Sequence, residues 1–281
     1  NLYQNSQLVM SVGGTIPGQG NVFTNNGDAG VIFTTEGFVG SPTRQQDRSF
    51  LSVQNNLFEG TFDNGAATNV SPDGAGVFVR RSGASLLTAV IGDGMANNQM
   101  NGNMFTGNDV GVQVVGAGSE QSALNDFAAS MVYIDDNMFD ANGNGIQYDL
   151  TADTVMQTFV VTNSLTNTIN DAIQVNSGNN SSLGMPVQAV NGEDLNFDGE
   201  LQPWEDVNFD MTLQGAGLPT VLSSVFDSNF IQGFGDDGID LSNTFQAFQD
   251  VRISGRQLDT FGNQIRTIID GQGAGDNGLE I

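Results

Sequence analysis

The sequence predicts an all-β chain wound as a parallel β-helix, a single-stranded solenoid with long loop insertions. Three observations predict it. A block of Asn, any residue and a large apolar residue returns six times. The composition joins 37 Gly and 19 Phe to only 14% charged residues, which suits short, turn-rich strands better than helices built from Leu, Glu and Lys. The spacing between blocks is too uneven for any repeat whose loops have one length.

Each block continues through a short polar turn into a small residue, a β-branched residue, any residue and an apolar one. Asn21-Val22-Phe23 leads to Gly30-Val31-Ile32-Phe33, and Asn56-Leu57-Phe58 to Gly76-Val77-Phe78-Val79. Asn103-Met104-Phe105 leads to Gly111-Val112-Gln113-Val114, and Asn137-Met138-Phe139 to Gly145-Ile146-Gln147-Tyr148. Two looser copies pair Asn163-Ser164-Leu165 with Ala172-Ile173-Gln174-Val175 and Asn229-Phe230-Ile231 with Gly238-Ile239-Asp240-Leu241. Upstream runs at Leu51-Ser52-Val53, Met131-Val132-Tyr133-Ile134, Phe159-Val160-Val161 and 221–226 supply a further strand per repeat.

Strands this short need neighbours. Stacked in register at about 4.8 Å per turn, they place Phe on Phe and Val on Val, so Phe and Met at the repeat positions are expected in the core. The repeated Asn is expected at a corner, where it tolerates a left-handed backbone and its amide bonds to the Asn above and below. Successive Asn positions lie 35, 47, 34, 26 and 66 residues apart. A coil absorbs this at its corners, with loops at 34–48, 60–75, 115–127 and 177–218, all rich in Gly, Ser, Asn and Pro. The chain therefore reads as one domain, 1–281, with 177–218 as an insertion between two turns of the coil.

The Asn-x-Phe…Gly-Ile/Val-x-Val pattern resembles the parallel β-helix repeat of the pectate-lyase-like superfamily over most of the chain. That resemblance implies a right-handed coil. It leaves activity open, because the superfamily includes lyases, glycoside hydrolases, adhesins, phage tailspikes and surface proteins.

Within the insertion, the run from Asp194 to Glu205 matches D-x-[DN]-x-[DN]-G-x5-E at every defined position. Calcium takes six to eight hard oxygens. The expected donors are the side chains of Asp194, Asn196 and Asp198, the Glu200 carbonyl, Gln202 or a water beside it, and bidentate Glu205. Gly199 permits the sharp turn, and Leu201 is the apolar anchor. The run resembles the loops of EF-hands and dockerin modules, but no amphipathic helix precedes Asp194 and Pro203 stands where an exiting helix would begin. The expectation is an isolated Ca2+ loop with affinity on the order of 10⁻⁴ to 10⁻³ M, a structural clamp in calcium-rich surroundings.

Charge and composition exclude much else. Thirty-two acidic groups face seven basic ones, all Arg, for a net charge of -25, which repels nucleic acids and anionic membranes. No stretch approaches the ~20 apolar residues of a membrane span. With no His and no Cys, disulfides, thiol catalysis, His-based metal sites and His-dependent triads are all absent. Lyases of the resembled superfamily use an Arg or Lys base, and its hydrolases use clustered Asp. Arg80 and Arg252, and the Asp236-Asp237 pair in Gly235-Asp236-Asp237-Gly238, are the catalytic candidates, with Asp135-Asp136 a second acidic pair. Both pairs fall at repeat turns, where Asp usually satisfies backbone amides, so the expectation is against an enzyme.

The resulting expectation is a structural or adhesive calcium-binding module of an extracellular or cell-surface, bacterial protein. Asn1-Leu2-Tyr3-Gln4-Asn5 and Gly278-Leu279-Glu280-Ile281 read as fragments of further repeats, so flanking repeats or end-to-end self-association are the expected partners. The alternative is a carbohydrate-active protein: a glycan binder, a lyase or a hydrolase.

Overall fold

The computed structural model describes residues 8–16, 18–36, 49–62, 73–83, 85, 87–92, 102–117, 130–152, 154–179, 181–184, 224–244, 247–255, 267–271 and 277–281. Among them every regular element is a β-strand. The period-two alternation of each repeat becomes three strands. The first tier holds β1 (Val9–Gly13), β2 (Val22–Thr24) and β3 (Ala29–Glu36), and the second β4 (Ser49–Gln54), β5 (Leu57–Glu59) and β6 (Ala75–Ser82). The third holds β7 (Leu87–Gly92), β8 (Met104–Thr106) and β9 (Val110–Ala117), and the fourth β10 (Ser130–Asp135), β11 (Met138–Asp140) and β12 (Asn144–Leu150). The fifth is β13 (Val155–Val161), β14 (Ser164–Thr166) and β15 (Ile173–Ser177). The sixth is β16 (Ser182–Leu183), β17 (Ser224–Asp227), β18 (Phe230–Gln232) and β19 (Ile239–Asn243). The last is β20 (Phe248–Gln249), β21 (Val251–Ser254) and β22 (Ile268–Asp270).

These strands form three sheets that take the chain in rotation. The first runs β1-β4-β7-β10-β13-β16-β20, with β17 and β21 alongside; the second runs β2-β5-β8-β11-β14-β18-β22; the third runs β3-β6-β9-β12-β15-β19. The pairing is parallel throughout, from β1 with β4 to β18 with β22. Three parallel sheets fed in rotation are compatible with a parallel β-helix. Among the described residues no helix is long and apolar enough to cross a membrane.

Like sits on like, as the repeat predicts. Val31, Val77, Val112, Ile146, Ile173 and Ile239 occupy one register position of the third sheet. Phe23, Phe58, Phe105 and Phe139 stack at centroid separations of 4.8, 4.9 and 4.7 Å with nearly parallel planes. Leu165, Ile231 and Ile269 continue the column. The Met residues differ from expectation: in the three-residue strands Phe points inward, so its neighbours Met104 and Met138 point out, 40% and 51% exposed.

The repeated Asn forms the expected ladder. The backbone N–H groups of Asn21, Asn56, Asn103, Asn137 and Asn163 each donate to the Oδ1 of the next Asn at 2.9–3.0 Å, ending at Asn229. The left-handed backbone, however, belongs to the preceding residue: Asn55, Asp136, Thr162 and Ser228 have φ between 54° and 59°. The ladder Asn spends its amide on the stack, and its neighbour absorbs the bend. A second corner, before the third sheet, has its own left-handed column of Asn25, Gly60, Gly107, Ala141, Asn167 and Gly233. Beside it Thr61 and Asn108 donate their N–H groups to Asn108 and Asn142 Oδ1, both at 3.0 Å.

The described strands continue past 177, where the insertion is expected to begin, and resume at 224. Ser177 closes β15 and Ser182–Leu183 is β16, so the tiers continue past 177. Opposite the single strand β13 lie two shorter ones, β16 against Val155 and Met156 and β17 against Phe159 to Val161. Residues 185–223 thus depart from one strand position and return to the same one. Each half keeps its register because it bonds to β13 separately, Gly184 N–H to Met156 O and Thr158 N–H to Ser224 Oγ.

Most buried apolar side chains form one cluster between the sheets. Two others lie on outward faces, Met131, Tyr133, Phe159, Val161 and Val225 on the first sheet and Ala75, Phe78, Val110 and Val115 on the third.

Candidate functional site

The site grows out of one register column where the third sheet begins. In the early tiers this column is apolar, pairing Ala29 with Ala75 and Ala75 with Val110. From Asn144 it turns polar. Asp171 N–H donates to Asn144 Oδ1 at 3.3 Å, Asp237 N–H donates to Asp171 Oδ1 at 3.0 Å, and Asp237 bridges to Asn277. The side chains therefore form a third short ladder, whose acceptors are the Asn144 amide and then the Asp171 carboxylate.

Asp236 joins this column from the turn. Its N–H and that of Gly235 both donate to Asn170 O, at 3.3 and 3.2 Å. Close approach dictates the flanking residue types, since a Cβ on Gly235 would lie 2.0 Å from Ile169 O and one on Gly238 2.5 Å from Ile269 Cγ2. The result is a cluster in which Asp171, Asp236 and Asp237 each offer a carboxylate oxygen within 4.8 Å of the others. Asp171 and Asp237 are buried and Asp236 is exposed. Gln174 Nε2 donates to Asp171 Oδ2 at 2.8 Å, while Asp237 Oδ1 is buried with no hydrogen-bond partner.

Burial pushes the Asp171 carboxyl up to about 6. The bond from Asp237 N–H opposes this, and the charges of Asp240, Asp236 and Asp237 add to it. Three carboxylates this close can share a proton or hold a cation.

An amide-rich face extends from the cluster over the outside of the third sheet. Asn144 Nδ2 donates to Gln147 Oε1, Gln147 Nε2 to Asp149 Oδ2, and Asn176 Nδ2 to Asp149 Oδ1, at 2.8–3.0 Å. Gln113 Nε2 carries the network on to Asp73 Oδ2 at 2.8 Å.

Of the catalytic candidates, only Asp236 and Asp237 meet. Arg80 lies on β6, separated from β19 by β9, β12 and β15, and Arg252 lies on β21 in the first sheet. Asp135 ends β10, and Asp136 is the left-handed corner residue before Asn137. The expected calcium donors Asp194, Asn196, Asp198, Glu200, Gln202 and Glu205 lie outside the described residues. Sequence reasoning missed Asp171. The signal was present: Asn170-Asp171-Ala172-Ile173 fills the repeat slots of Asp236-Asp237-Gly238-Ile239 one tier earlier. No family model matches this chain, and no curated protein or solved structure matches it significantly.

Proposed function

We propose that the chain is a right-handed parallel β-helix serving as a structural or adhesive, calcium-binding module of an extracellular or cell-surface bacterial protein. One observation carries the reading: the Asn ladder passes unbroken from Asn21 to Asn229, with aromatic stacking alongside. A ladder that locks six successive tiers to one another stiffens the stack they form. Right-handed winding follows from strand twist, which makes about 98% of parallel crossovers right-handed. The Asp194–Glu205 motif would clamp the segment that interrupts the sixth tier. A net charge of -25 adds electrostatic self-repulsion that divalent cations relieve.

A second reading, a glycan-binding or glycan-cleaving protein, is favoured by the carboxylate cluster beside an amide-rich face, since amides and carboxylates are suited to sugar hydroxyls.

The test is negative-stain microscopy and thermal melting in millimolar calcium and again in chelator. The expected outcome is a higher melting temperature and end-joined assemblies in calcium. Separate particles with the same melting temperature in both conditions would overturn the calcium-dependent structural role, and binding on a glycan panel would then move the assignment to the second reading.

A further inference from the structure

We propose that Asp171, Asp236 and Asp237 form a divalent-cation site suited to Ca2+ on the tiered body itself, separate from the Asp194–Glu205 loop. Two oxygens bound to one ion at about 2.4 Å lie at most about 4.8 Å apart. The three carboxylates of this cluster meet that limit pairwise. The second observation is independent of this spacing: Asp237 is only 6% exposed, yet its Oδ1 has no hydrogen-bond partner. A buried carboxylate oxygen without a donor is costly, and a bound cation is the partner that would satisfy it.

The ligands are already held in place. Asp237 N–H and Gln174 Nε2 each occupy one oxygen of Asp171, leaving each oxygen a further lone pair for a metal. Asn170 O anchors the turn that carries Asp236. The donor set is all oxygen, which selects a hard cation, and exposed Asp236 leaves room for water to complete six to eight ligands. Asp171 belongs to the fifth tier and Asp236 and Asp237 to the sixth. The ion would therefore staple the fifth tier to the sixth, within which the chain carries residues 185–223.

The proposal does not depend on the loop, and the experiment separates the two. Calcium binding is measured by isothermal titration on the full chain, with melting temperature in parallel, for wild type, Glu205→Gln, and Glu205→Gln combined with Asp237→Asn or with Asp236→Asn. Glu205→Gln removes the bidentate loop ligand and is expected to retain one calcium. Adding Asp237→Asn is expected to weaken that calcium at least tenfold and to abolish the calcium-dependent rise in melting temperature. In chelator the same variant is expected to melt no lower than Glu205→Gln, because a repelling charge has been removed. Asp236→Asn, on an exposed side chain, repeats the test if Asp237→Asn disturbs folding. If wild type and Glu205→Gln both bind one calcium and the Asp variants none, the body site stands and the loop falls. If Glu205→Gln binds none, or the Asp variants bind as tightly as it does, the body site is overturned.

Discussion

Asn137 shows how much one side chain contributes to this fold. Its Oδ1 accepts from both the backbone N–H and the Nδ2 of Asn103, at 2.9 Å each, while its Nδ2 donates to Ile91 O at 2.8 Å and to Asn163 Oδ1 at 3.1 Å. Asn137→Ala would leave the Asn103 N–H unpaired where water does not reach and would remove the bonds to Ile91 O and Asn163 Oδ1. At about 1–3 kcal/mol for such a group, a loss of about 1–3 kcal/mol is expected in denaturant unfolding. A loss below about 1 kcal/mol would mean the ladder relaxes around the gap. The Asn was legible in the sequence because it repeats, and so was its bonding to its own copies. Its backbone conformation was not. Left-handed geometry fell on Asn55, Asp136, Thr162 and Ser228, a column of differing residue types that no repeat in the sequence marks. Thr162 is the least expected of these, since a β-branched residue rarely takes positive φ.

At the scale of the strand, the small residue that opens each third-sheet strand proves to be a packing requirement. A Cβ on Gly111 would lie 2.6 Å from Phe139 Cδ1 and 2.6 Å from Gly145 O, both in the following tier. At Gly30, Gly76 and Gly111 the Phe ring of the following tier takes the space a Cβ would need, while Gly145 and Gly238 leave that space to Leu165 and Ile269. In the tier that carries Ala172, the residue ahead in the Phe column is Ile231, with Phe absent. Gly111→Ala is expected to cost about 1–3 kcal/mol through overpacking, read from the shift in the unfolding midpoint. A neutral result would show that neighbouring tiers can move apart locally. The alternation of each strand was legible, but the sign of some faces was not. Tyr133 and Phe159 stack at 4.8 Å on the outward face of the first sheet and are nevertheless buried. Periodicity reports which residues share a face and is silent on what covers it.

Across the molecule, the most informative feature is how the tiers accommodate residues 185–223. In the last tier, β20, Asp250 and β21 run almost continuously. Asp250 N–H donates to Leu183 O and Asp250 O accepts from Ser224 N–H, so Asp250 stands opposite the junction of β16 and β17. Gly184 and Ser224 are thus neighbours in line along one strand position. Joining Gly184 directly to Ser224 is expected to give a cooperatively folded chain, with a circular dichroism spectrum of β type and a melting temperature within a few degrees of the parent in chelator. A chain that fails to fold would show that the sixth tier needs the excised segment. The sequence by itself determined the repeated strand blocks, their order and the partners of the ladder from Asn21 to Asn229, because a repeated side chain stacked on its own copy carries that information from tier to tier. Tertiary structure alone decided which corner residues bend, that Met104 and Met138 face outward, that the insertion interrupts a strand, and that Asp171 meets Asp236 and Asp237. Each of these depends on what lies one tier away in space, and for the carboxylate cluster that neighbour is 66 residues away along the chain.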